Sequence, residues 1–128
     1  MGAIVHCHSP NATAVACQRR SIPPFHYMVA VAGGADIRCV DYATFGTQAL
    51  SDAVVDALDG RSACLMANHG QVAVAANVAA ALDLACEVEE LAKQYVLALQ
   101  MGEPVLLSSD EMDEVIEKFK TYGKQDEG

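Results

Sequence analysis

Apolar and polar residues alternate over residues 3–8 and then give way to Ser9-Pro10-Asn11, which predicts a short strand delivering its end into a polar turn. Asn11 suits a helix start, and the small residues at 12–18 continue a helix-compatible stretch. Ile22-Pro23-Pro24 is expected to be extended, because proline restricts both itself and the residue before it. A short helix over 27–32, closed by Gly33-Gly34, precedes a second strand over 37–42. Thr47 then caps a helix whose apolar positions Leu50, Val54, Ala57 and Leu58 recur at helical spacing until Gly60 stops it. Two strand segments, 63–68 and 71–75, are interrupted at His69-Gly70, where glycine permits a turn or bulge. Over 77–100 a long helix is predicted: Ala81, Ala85, Val88, Ala92, Tyr95 and Leu99 keep one face apolar, and Glu89 and Lys93 are spaced to pair on another. Gly102 and Pro104 end it. Ser108 with Glu111 makes a capping box for a last helix carrying Val115, Ile116 and Phe119, with a polar, frayed tail from Lys124. The resulting order, β-α-β-α-β-α-α, is that of a layered α/β domain.

Composition narrows the function classes. A chain of 128 residues that is 52% hydrophobic has the size and apolar content for one domain with its own core. Seventeen acidic residues against eight basic ones leave a net charge of −9, which repels a phosphate backbone or an anionic bilayer. Neither nucleic acid nor a membrane is therefore an expected partner. The N-terminus lacks the basic region and long apolar stretch of a signal peptide. Cys7, Cys17, Cys39, Cys64 and Cys86 are odd in number and make no CxxC spacing, so they read as free thiols in a reducing, cytoplasmic setting.

The candidate chemistry is concentrated in three histidines. His6 and His8 lie two residues apart on a predicted strand, so alternation turns both imidazoles to one face and Cys7 to the other. On its own, an HxH pair is equally readable as two hydrogen-bonded surface histidines. His69, at a strand break followed by a close-packing glycine, is able to complete a three-imidazole face that leaves a metal one open side. Tyr27 follows a rigid proline pair and reads either as a phenol donating a proton beside a metal or as an aromatic anchor for its loop. Phe45 and Tyr122 read as core or interface aromatics, and Tyr95 as core. Glu87, Glu89 and Glu90 are placed on a helix in solvent or interface roles, and Gly33-Gly34 is read as a turn, not a phosphate loop.

The stretches AIVHCHSPNATA, IPPFHYMVAVAGG, DIRCVDYATFGTQALSDAV, ANHGQVA, EVEELAKQY and EKFKTYG, in that order, resemble the class II aldolases of the aldolase and adducin superfamily. HYMVAVAGG and DIRC look more like its fuculose-phosphate aldolase branch than its pentose-phosphate epimerase branch. The resemblance covers essentially the whole chain and implies a three-layer α/β/α fold with a central, largely antiparallel sheet. It implies zinc on His6, His8 and His69, a Tyr27 that protonates the aldehyde oxygen, a Phe45 beside the substrate, and a functional tyrosine at Tyr122. The implied reaction is retro-aldol cleavage of a sugar phosphate such as L-fuculose 1-phosphate into dihydroxyacetone phosphate and an aldehyde, with zinc stabilising the enediolate left behind. The implied assembly is a homotetramer with sites between subunits.

Against that pattern, the zinc motif falls almost at Met1, so residues 1–128 are expected to be a single incomplete domain, the C-terminal two-thirds of such an enzyme. The front part is expected to hold the glycine- and serine-rich loops that grip the phosphate and an acid/base glutamate. An open sheet edge beside the His6 strand follows from that expectation. The alternative function is a non-catalytic zinc-binding or oligomerising module, as in the adducin relatives.

Overall fold

The alternation at the start of the chain becomes β1 (Ala3–Cys7), and its polar boundary leads directly into α1 (Pro10–Cys17), with Ser9 at the N-cap and proline in the first turn. The computed structural model describes residues 2–126, with side chains as far as Thr121. Helix α1 thus begins before Asn11, because proline's fixed φ suits a first helical position and its missing N–H costs nothing there. Residues 27–32 form a short 3-10 helix, Tyr27–Ala32, whose N-cap is His26: its Nδ1 accepts from the Met28 N–H at 3.0 Å. Gly33 ends it at φ 98. The second strand is much shorter than expected. β2 is only Cys39–Val40, because its single partner, β3 (Ala63–Met66), pairs with it in parallel over two residues. Between them α2 (Gln48–Ala57) is capped by Thr47, whose hydroxyl accepts from the Leu50 N–H at 3.3 Å.

The break at His69-Gly70 is a chain reversal. β3 and β4 (Gly70–Ala75) are antiparallel, joined through Ala67, Asn68 and His69, with Asn68 at φ 58. The element order therefore gains a strand over the one read from the sequence. β4 also pairs antiparallel with β1, giving the sheet order β1-β4-β3-β2 and leaving β1 as an edge. Then come α3 (Val78–Met101), capped by the Asn77 side chain, and α4 (Ser109–Asp126), opened by the reciprocal Ser108/Glu111 capping box at 2.8 and 3.1 Å. α4 runs to Asp126, through the segment expected to fray.

Period-2 alternation sorts the strands' side chains between two cores. Ala63, Leu65 and Ala73 face a large core with Val15, Val29, Val88, Leu91 and Tyr95, under α1, α3, α4 and the 3-10 helix. Cys64, Met66 and Val72 face a smaller core under α2. This is the expected three-layer α/β/α arrangement around a mostly antiparallel sheet. Each fully buried Ile22, Ile37, Leu65 or Leu91 contributes about 1.5–3 kcal/mol. α2 covers the β2 side of its face only, so the β1 side is open and Ile4 is 63% exposed. No described helix is long and apolar enough to cross a membrane.

Candidate metal centre

The uncovered end of the α2 face carries the histidines. His6 pairs with Val72 across the sheet and so shares its face, while Cys7 pairs with Gln71 on the α3 face, as alternation requires. The β3–β4 turn brings His69 to the same place. The three rings meet edge to face with centroids 5.0, 4.9 and 4.8 Å apart, and their ligand atoms lie within 4.8 Å of one another. Gly70 permits this approach. A Cβ there would run into the Cys7 carbonyl oxygen and stand 3.1 Å from His8 Cδ2.

The donor set fits a zinc ion. His6 Nδ1 lies 2.9 Å from the Gln71 carbonyl oxygen; a carbonyl only accepts, so Nδ1 carries the proton, and in the neutral ring the lone pair is on Nε2. Burial first, then the neighbouring His6 and His8, lower the His69 pKa from 6.5, which leaves that ring an unprotonated donor at neutral pH. The nitrogen separation of tetrahedral zinc, about 3.3 Å for bonds of about 2.0–2.1 Å, lies inside the 4.8 Å spread of these atoms. Among the described residues this is the one group of three or more such side chains able to hold a metal.

Around the imidazoles is a pocket of about 440 Å³, walled by Tyr42, Ala43, Phe45 and Asn68, within the size range of small-molecule sites. Phe45 is 78% exposed, so the wall ends in an aromatic facing outward. Tyr27 does not line this pocket. Its ring stacks on His26 at 4.9 Å and meets Phe119 of α4 edge-on at 6.5 Å. Tyr122 lies on the α4 backbone, and its side chain is outside the described residues. Tyr95 is core, tilted against Phe25 at 5.1 Å.

Sequence reasoning missed three neighbours of the site. Arg19 donates through Nε to Asn68 Oδ1 at 2.8 Å and lies over the Tyr42 ring, which brings a guanidinium to the pocket rim. No local pattern signals it. Gln71 is fully buried, and its polar side chain at an inward position of an apolar strand was a readable signal. Glu89 makes no pair with Lys93 among the described residues. It reaches instead to the start of α1, accepting from the N–H groups of Asn11 and Ala12 and from Asn11 Nδ2 at 2.8–3.0 Å.

Fold and site together define a three-layer α/β domain that presents a tri-histidine cluster able to hold a metal ion, in an open pocket at one end of its sheet. The Class II Aldolase and Adducin N-terminal domain family matches residues 1–96. A 5-methylthioribulose-1-phosphate/5-deoxyribulose-1-phosphate aldolase of Rhodospirillum rubrum is 57% identical over 96% of this chain and 56% of its own length. The L-fuculose phosphate aldolase of Escherichia coli K12 is 51% identical over 94% of this chain and 57% of its own. A solved L-fuculose 1-phosphate aldolase superposes with a TM-score of 0.87 at 48% identity, over 91% of this chain and 55% of that one. The chain belongs to the class II aldolase and adducin family, and it spans about half the length of the curated relatives it matches.

Proposed function

We propose that the chain is the histidine-bearing part of a zinc-dependent class II aldolase that cleaves a ketose 1-phosphate into dihydroxyacetone phosphate and an aldehyde. The convergence of His6, His8 and His69 carries this reading. Both relatives above are named for phosphorylated ketoses that differ away from the phosphate, which supports the substrate class and leaves L-fuculose 1-phosphate and 5-substituted ribulose 1-phosphates as its members. Zinc held by His6, His8 and His69 would supply Lewis-acid polarisation of substrate oxygens.

The chain's own residues orient and shield. The Gln71 carbonyl fixes the His6 tautomer, Tyr42 and Phe45 offer aromatic surface to the carbon chain, and the Arg19 guanidinium suits an oxygen-rich end of the substrate. Tyr27 is the proton donor to the aldehyde oxygen in bond formation and its acceptor in cleavage. Because it lies against α4 and not in the pocket, it acts in the site of a second copy; its 51% exposure and that of Phe45 support a homo-oligomer, a tetramer in this reading, working in the cytoplasm.

The test is metal content of the purified chain, then cleavage of L-fuculose 1-phosphate and 5-methylthioribulose 1-phosphate on the same sample. One zinc per chain, lost in His8→Ala and kept in Cys7→Ala, is the expected result. Equal zinc in both variants rejects the ligand face. Zinc without cleavage of either substrate rejects catalysis by this chain and leaves the non-catalytic, adducin-like module.

A further inference from the structure

The two segments that carry the histidines are joined by one short helix. His8 is followed at once by Ser9, the N-cap of α1, and at the other end of α1 the Ala16 carbonyl accepts from the Asn68 N–H at 3.0 Å, one residue before His69. Whatever moves α1 therefore moves both the His8 and the His69 segments. An eight-residue helix is too short to hold its own shape, and the Ser9 side chain makes no cap bond to it.

We infer that Glu89, from the middle of α3, is a positioning residue for the metal ligands, acting by capping and anchoring α1. Its two oxygens accept from Asn11 N at 3.0 Å, Asn11 Nδ2 at 2.8 Å and Ala12 N at 2.8 Å, replacing the cap that Ser9 does not supply. Ser9 is held from the same helix by another route. Gln71 Nε2 donates both to the Ala85 carbonyl, one turn before Glu89, and to Ser9 Oγ, each at 3.0 Å. The same Gln71 offers its backbone carbonyl to His6. One face of α3 thus fixes the backbone after His8 and, through Gln71, the tautomer of His6. Glu89 touches neither metal ligand nor substrate, so its action is on the geometry of the donors.

The inference rests on the tri-histidine zinc site proposed above, and zinc affinity by chelator competition tests the two separately. Glu89→Ala is expected to weaken zinc binding about 10–100-fold and to alter the visible spectrum of the cobalt-substituted chain. Glu89→Gln, which keeps one acceptor oxygen for the helix N–H groups, is expected to recover part of both. A cavity in the same helix, Val88→Ala, lowers the melting temperature but leaves zinc affinity and the cobalt spectrum unchanged, which separates positioning from general stability. Should Glu89→Ala not fold, Glu89→Gln and Ser9→Ala carry the test, each expected to weaken zinc several-fold. A folded Glu89→Ala with wild-type affinity and spectrum, or wild-type affinity in both substitutes, overturns the inference and leaves the zinc site standing. No zinc in the unaltered chain overturns both.

Discussion

At the scale of single residues, the candidate centre depends as much on what is small as on what ligates. Gly70 starts β4 at the point where the β3–β4 turn meets the end of β1, and its missing Cβ is the space occupied by the Cys7 carbonyl and the edge of the His8 ring. Gly70→Ala cannot be relieved by rotating a side chain alone, since the nearest obstacle is the Cys7 backbone carbonyl; the chain must shift at Cys7, between His6 and His8. The expected cost is about 1–3 kcal/mol in urea unfolding, as for other overpacked sites. Zinc affinity by chelator competition should fall at least about tenfold, because a small displacement of donors is felt directly by the ion. Loss of stability with undiminished zinc affinity would show that the His8 ring adapts freely and that the close approach at Gly70 serves the sheet alone. Both the HxH pair and the glycine after His69 were legible in the sequence, because period-2 alternation and turn chemistry are local rules.

At the scale of elements, local signals located helix starts well and failed where a distant partner decides. Thr47 and the Ser108/Glu111 box each cap the helix they were expected to cap, since donor and acceptor lie within three residues. The extent of β2 was not readable, because residues 37–42 are strand only where β3 pairs with them. Nor was the partner of Glu89: spacing offered Lys93 four residues on, and the structure offers N–H groups 77 and 78 residues away. This long-range cap has a pH signature. Burial pushes the Glu89 carboxyl up, but the hydrogen bonds from Ala12 and Asn11 outweigh it and hold the pKa below its ordinary 4.5. A depressed folded pKa contributes stability that is present above the unfolded value and is lost as pH falls through the folded one. Between about pH 5 and about pH 3 the urea midpoint of the wild-type chain should therefore fall further than that of Glu89→Gln, all other carboxylates being shared. Parallel curves for the two would mean that the ionised carboxylate adds nothing over a neutral acceptor at the start of α1.

At the scale of the whole molecule, the arrangement of the candidate site residues bears on whether the proposed reaction needs two copies. His6, His8, His69 and Phe45 share one pocket, whereas Tyr27 lies on the 3-10 helix against α4, so a single copy does not bring the phenol to the imidazoles. Nothing in the linear order of motifs distinguishes a site within one chain from a site shared by two; only the family resemblance pointed to sites between subunits. The surface offers means of self-association: β1 is a sheet edge, and Ile4 on it is 63% exposed beside the half-buried Val74. Opposing this is the net charge of −9, whose self-repulsion acts over about 10 Å at 0.1 M salt and about 3 Å at 1 M. Sedimentation of the wild-type chain should accordingly give a mass above the 13.5 kDa protomer that rises with protein concentration and with salt. A lysine on an edge strand discourages edge pairing, so Ile4→Lys should sediment closer to 13.5 kDa at every salt concentration. If Ile4→Lys associates as the wild type does, the copies meet through another surface, and the exposed Tyr27 and Phe45 become the next positions to substitute. If the wild type stays at 13.5 kDa throughout, Tyr27 has no second pocket to enter, and proton transfer by this phenol is removed from the proposed reaction.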